Sequence, residues 1–183
     1  MNRHCLTGML LGSVLASSGC ITESSSTALD RLPTSKPRKV SPAPQSAPIN
    51  DLALLKSMRP IDTNGNGYPN RFDVSVYLFS RPYPVPRFAE GTLVFSLYPP
   101  STYDSREGFG SEPIAQWRFE QDRLLGARFQ NVVGQGYSLS LDLNDIGIAS
   151  LDYGAADLVA SFEPASEAKV VYGDSVQTIP YRN

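Results

Sequence analysis

Between Phe72 and Ile179 apolar residues recur at every second position in short runs, and proline, glycine and asparagine cut the runs apart. This spacing is the strongest constraint on the fold, because alternate residues share a face only when the backbone is extended. The cleanest run sets Tyr137, Leu139, Leu141 and Leu143 against Ser138, Ser140 and Asp142. Phe72, Val74, Val76 and Leu78 alternate with Asp73, Ser75 and Tyr77 in the same way. Further strands are predicted with Leu93, Phe95 and Leu97 on one face, with Ala115, Trp117 and Phe119 together, and with Leu158, Ala160 and Phe162 together. Residues 170–172 and 176–179 flank Gly173-Asp174 and predict a closing hairpin. Arg81-Pro-Tyr-Pro-Val-Pro86 reads as a loop or edge, since proline donates no ladder hydrogen bond. Residues 99–113 read as a long surface loop, and residues 120–128 admit a helical turn through Leu124 and Leu125.

Repeated short strands with almost no helix predict an all-β chain, an antiparallel two-sheet sandwich of immunoglobulin-like architecture with Trp117 in its core. The cysteine pair of antibody domains is absent, so the expectation concerns architecture alone. One short N-terminal helix is expected over residues 50–58: Asn50 can cap it, Asp51 suits its positive end, and Leu52, Leu55 and Met58 fall near one face before Pro60 stops it.

Three segments follow from composition. Residues 1–19 read as a signal peptide, with Arg3 at the start and an apolar run from Leu6 to Ala16 too short to span a bilayer. Residues 20–49 are rich in Ser, Pro and Thr and read as a disordered tether of about 30 Å. Residues 50–183 form the predicted domain. The basic cluster Lys36-Pro-Arg-Lys39 reads as a solvated linker patch. With a net charge of −2 and scattered basic residues, the chain offers nucleic acid no continuous surface. The only histidine is His4 and the only cysteines are Cys5 and Cys20. The domain therefore lacks the side chains for Ser-His-Asp or Cys-His catalysis, for zinc sites of the Cys and His type, and for disulfides.

Leu15-Ala16-Ser17-Ser18-Gly19-Cys20 resembles the lipobox of bacterial lipoproteins. The resemblance implies a diacylglyceryl group on Cys20, a membrane anchor and a place in the cell envelope; Ile21 after the cysteine implies the outer membrane of a Gram-negative cell. An ordinary secretion signal is the alternative.

The candidate site is Asp62-Thr-Asn-Gly-Asn-Gly-Tyr-Pro-Asn-Arg-Phe-Asp73. Calcium takes roughly six to eight oxygens, and a calcium loop offers them from its first, third, fifth, seventh, ninth and twelfth positions with glycine at the sixth. Counting from Asp62 places Asn64, Asn66, Tyr68 (through its carbonyl), Asn70 and Asp73 at the remaining ligand positions and Gly67 at the turn. The pattern resembles the single calcium loops of dockerin modules and thrombospondin type 3 repeats. Only Asp62 and Asp73 are acids, which predicts binding near about 10⁻⁴ to 10⁻³ M. Pro69 and the strand that follows argue against a paired, helix-rearranging sensor, so the ion would be structural and would brace the junction between the N-terminal helix and the first strand. The competing reading is a metal-free turn in which asparagine side chains bond local backbone.

The run from Met58 to Asn70, with Val74-Ser-Val-Tyr-Leu78, Gly91-Thr-Leu-Val-Phe-Ser-Leu-Tyr98 and Trp117, is similar to uncharacterised predicted lipoproteins of planctomycete-type bacteria. That resemblance implies an architecture and no activity. The chain is expected to be a non-catalytic envelope protein. An alternative is a glycan- or protein-binding module using Tyr83 and Tyr103; another is an enzyme working with carboxylates alone, such as Glu107 and Glu112. Tyr98 and Phe109 are further aromatic candidates, and Asp142, Asp145, Asp152 and Asp157 form an acidic stretch expected to be solvated.

Overall fold

The computed structural model describes residues 40–104, 109–110, 112–166 and 168–181. The expected signal peptide, Cys20 and the tether up to residue 39 lie outside them. In chain order the elements are β1 (Asp51–Lys56), β2 (Arg71–Phe79), β3 (Gly91–Tyr98), β4 (Tyr103–Asp104), β5 (Phe109–Gly110), β6 (Ala115–Phe119), α1 (Gln121–Gly126), β7 (Arg128–Gln130), β8 (Gln135–Asp142), β9 (Ala155–Pro164), β10 (Val171–Tyr172) and β11 (Gln177–Pro180).

Two antiparallel sheets account for most of these strands. One has the order β1-β2-β8-β7; the other runs β10-β9-β3-β6, with β11 also on β9. The alternation seen in the sequence becomes the facing of side chains. Leu52, Leu54, Phe72, Val74, Val76, Leu139 and Leu141 from the first sheet are buried in one core with Leu93, Phe95, Leu97, Trp117, Phe119, Leu158 and Phe162 from the second. Trp117 sits in that core and donates its indole N–H to the Asp142 carbonyl at 3.0 Å. Tyr137 is buried as well, and its hydroxyl both accepts from the Ala89 amide and donates to the Ala89 carbonyl, each at 3.0 Å. Burial pushes this phenol above its ordinary pKa, which keeps the donating proton in place.

The expected N-terminal helix is a strand. Leu52-Ala-Leu-Leu fits either period, since Leu55 continues a helical face and Leu54 a strand face. A segment this short gains little from isolated helix formation. The open edge of β2 takes all six residues of β1 in register, from Asp51 opposite Phe79 to Lys56 opposite Val74. Leu52 and Leu54 are 2 % exposed, whereas Leu55 and Met58 are 55 % and 91 % exposed. Asn50 clasps Arg81 instead of capping a helix: its Oδ1 accepts the Arg81 amide at 2.7 Å, and its Nδ2 donates to the Arg81 carbonyl at 3.2 Å.

The closing hairpin is also revised. β10 and β11 do not pair with each other; both pair with β9, Val171 opposite Phe162 and Gln177 opposite Leu158. They are two segments of one interrupted edge. Gly173, expected at a turn, donates its amide to the Ala160 carbonyl at 2.9 Å and so continues the ladder. In α1 only Leu124 is buried, while Leu125 faces solvent. The 99–113 segment carries the two-residue ladder of β4 with β5.

These registers give the sandwich two distinct ends. Residues 40–50, the 80–90 loop and the β7–β8 turn share one end, where Arg87 donates to the carbonyls of Gln45 and Ala47. The β1–β2 connection, the 99–113 segment and residues 143–154 share the other.

Candidate functional site

The Asp62–Asp73 stretch straddles the end of the β1–β2 ladder. An isolated bridge joins Ile61 to Arg71, and the Ile61 carbonyl accepts both the Asn70 amide at 2.9 Å and the Arg71 amide at 3.0 Å. Residues 62–70 are thereby closed into a loop whose mouth is fixed by main-chain bonds. It lies at the end of the sandwich remote from residues 40–50 and closes the connection between β1 and β2, so it occupies the expected junction, with a strand in place of the expected helix on its N-terminal side.

Inside the loop the polar side chains organise the backbone. Asp62 Oδ1 accepts the amides of Asn64 at 3.2 Å and Gly65 at 2.8 Å, and Oδ2 accepts that of Gly67 at 2.8 Å. Asn64 Oδ1 accepts the Asn66 amide at 3.2 Å, and Asn66 Oδ1 accepts the Tyr68 amide at 2.8 Å. Gly65 and Gly67 have φ of 71° and 86°, and a Cβ at either would meet nothing within 4 Å. Glycine is required there by backbone conformation and not by room.

The amide of Gly67, followed by those of Gly65, Asn64 and Asn66, holds the Asp62 carboxyl below its ordinary pKa despite an opposing contribution from burial. A depressed folded-state pKa stabilises the protein above the unfolded value of 3.8, and this contribution is lost as pH falls through the lower folded value. An acid titration followed by NMR is expected to move the Gly65 and Gly67 amide resonances together, with a midpoint below 3.8. A midpoint at or above that value contradicts the bonding just described.

The last two ligand positions diverge from the first three. Asn70 is 0 % exposed and forms a hub at the loop base. Its Oδ1 accepts the Thr63 amide at 2.7 Å, while its Nδ2 donates to Thr63 Oγ1 at 2.7 Å and to Asp142 Oδ1 at 3.2 Å. Its main-chain carbonyl accepts the Leu143 amide at 2.8 Å. Asp73 lies two residues into β2 beyond Arg71, on the partly exposed face; its Oδ1 accepts from Ser140 Oγ at 2.7 Å and is 3.4 Å from Arg71 Nε. The donor set thus fits calcium in part. Asp62, Asn64 and Asn66 follow one another round the loop; Asp62 Oδ2 and the Asn64 and Asn66 side-chain oxygens each accept one amide and retain acceptor capacity, whereas Asp62 Oδ1 already accepts two. The Asn70 and Asp73 side chains are engaged elsewhere.

The other sequence candidates also separate. Asp157 is a buried bridge, accepting the Ser101 amide and the Thr178 hydroxyl at 2.7 Å each. Asp142 accepts the Asn144 amide at 2.9 Å besides the Asn70 side chain. Tyr98 and Tyr103 rings lie 4.9 Å apart, but Tyr83 belongs to the 80–90 loop at the opposite end. Glu107 lies outside the described residues. Sequence reasoning missed a cleft of about 890 Å³ beside the loop, lined by Met58, Arg59, Asp62, Tyr68 and Tyr181 among others. Tyr181 stacks on Tyr68 with ring centroids 6.2 Å apart and planes 13° from parallel, and its hydroxyl accepts the Leu151 amide at 3.0 Å. The only sequence signal for it was an aromatic residue following Pro180 near the C-terminus.

Among the described residues no group of three or more His, Cys, Asp or Glu gathers at one point, and no helix is long and apolar enough to cross a membrane. No protein family, no curated protein and no solved structure matches the chain.

Proposed function

We propose that the chain is a non-catalytic, lipid-anchored protein of the cell envelope: an immunoglobulin-like β-sandwich held on the outer membrane through Cys20 and its tether, with residues 62–70 as a weak structural calcium loop. The observation that carries the calcium reading is the Asp62 carboxylate, drawn into the curve of the loop by three backbone amides. Its partners in this reading are the Asn64 and Asn66 side chains and the Tyr68 carbonyl, with water in the positions that Asn70 and Asp73 leave. A single carboxylate implies affinity at or weaker than about 10⁻³ M. The lipobox-like residues support the anchor, and the absence of His and Cys after Cys20 supports the non-catalytic reading. The immunoglobulin-like reading is supported by strand order: β1-β2-β8-β7 corresponds to A-B-E-D, and β6-β3-β9 followed by the β10/β11 edge corresponds to C′-C-F-G.

Thermal melting tests the ion. With millimolar affinity, a tenfold excess of calcium is expected to raise the wild-type midpoint by roughly three to five degrees over chelator, and Asp62→Ala is expected to abolish the difference. Equal wild-type midpoints would remove calcium from the proposal.

A second reading, a glycan- or protein-binding module, is favoured by the cleft beside the loop and its Tyr68 wall. Binding on a glycan array that disappears in Tyr68→Ala would place it above the first.

A further inference from the structure

We propose that the 62–70 loop is a deamidation site held in check by Asp62, whose one carboxylate occupies both of the amide nitrogens that would attack Asn64 and Asn66. In this reaction the main-chain nitrogen following an asparagine loses its proton and attacks the side-chain Cγ. The new N–C bond closes a succinimide ring, the bond from Cγ to the side-chain nitrogen breaks, and ammonia departs. Water then opens the ring to aspartate or isoaspartate. Overall one water is consumed and one ammonia released, with no change of oxidation state. Glycine after the asparagine is the least obstructed case, because no side chain shields the attacking nitrogen. Asn64-Gly65 and Asn66-Gly67 are the only such pairs in the sequence.

The loop sets the two halves of the reaction against each other. On the electrophile side, Asn64 Oδ1 and Asn66 Oδ1 each accept a backbone amide, from Asn66 and Tyr68 respectively. A donor on that oxygen polarises the carbonyl and stabilises the negative charge that develops when the ring closes. On the nucleophile side, Gly65 N and Gly67 N both donate to Asp62, at 2.8 Å each. Either nitrogen must give up a charge-assisted hydrogen bond before it can attack, and its anion would form beside a carboxylate. The site is activated at its carbons and blocked at its nitrogens. Release would place one or two new negative charges in the loop.

The inference does not depend on calcium, and its test is run in chelator. The purified full chain is incubated in warm neutral buffer, and deamidation at each asparagine is followed by peptide mass spectrometry. In the native wild type, Asn64 and Asn66 are expected to deamidate at least about tenfold more slowly than in denaturant. Asp62→Ala is expected to accelerate both sites by about tenfold or more, the factor that loss of one charge-assisted hydrogen bond supplies, with Asn131 and Asn144 unchanged. Asp62→Asn is nearly isosteric and keeps the test open should the alanine variant fail to fold; it forfeits one acceptor oxygen and is expected to release at least one of the two pairs. Native wild type reacting at the denatured rate, or an Asp62→Asn protein with unchanged melting and unchanged rates at both sites, overturns the proposal.

Discussion

Asn70→Ala is expected to lower unfolding stability by about 3 kcal/mol, from a stranded Thr63 amide and two further lost side-chain bonds at a closed site. Asn70 is fully buried and joins three parts of the chain: Thr63 within the loop, Asp142 at the end of β8, and Leu143 through its main chain. Alanine keeps the main-chain bonds and removes the others. Asn70→Asp separates the two roles the position has been given. If its side chain were an ion ligand, an added carboxylate would strengthen the calcium response. As a hub, the new carboxylate stands where Nδ2 now lies 3.2 Å from Asp142 Oδ1, so like charges meet in a buried place. The aspartate variant is expected to be destabilised at neutral pH and to recover part of the loss in acid, as one carboxyl of the pair takes up a proton. Urea unfolding in chelator at two pH values measures both effects. An aspartate variant as stable as wild type at neutral pH would contradict the hub.

Gly91→Ala is expected to cost about 3 kcal/mol or more, combining an unfavourable backbone conformation with overpacking. Gly91 opens β3 opposite Pro164 with φ of 156°. A Cβ there would run into the Glu163 carbonyl oxygen and come within 2.7 Å of the Phe162 ring. The carbonyl belongs to the central β9 strand and cannot swing aside, and Phe162 is itself fully buried. The Gly91 amide also donates to Gln121 Oε1 at 3.1 Å, which ties the start of β3 to α1. Thermal or urea unfolding of the alanine variant provides the measurement. Gly65→Ala is the informative comparison, because its Cβ meets open space and only the positive φ is penalised. A Gly91→Ala variant no less stable than Gly65→Ala would show that the clash relaxes.

The central strands were legible because each buries one face, and burial of one face writes a period of two into the residues themselves. Tyr137, Leu139 and Leu141 could hardly be read otherwise. The edges were not legible. At residues 52–55 the leucines satisfy both periods, and the decision came from the free edge of β2, more than fifteen residues away. Gly173 looked like a turn because a glycine in a continuing edge has the same local signature. In the candidate loop, the spacing of Asp62, Asn64 and Asn66 translated into shared geometry because all three act on backbone within five residues. Asn70 and Asp73 have the right spacing too, but their partners Asp142 and Ser140 come from β8, 72 and 67 residues away. A motif counted along the chain cannot register a competing partner supplied by another strand.

The placement of residues 50 and 181 at opposite ends of the sandwich bears on how the fold would resist tension between them. Residue 50 enters at one end of the sandwich and Tyr181 stacks on Tyr68 at the other. Tension between them runs parallel to the strands, so β1 is pulled along β2 and its six paired residues resist together. Pulling across the sheet would open the same pairs one after another. The antiparallel start of the fold is therefore a shear joint, strongest along the strand direction.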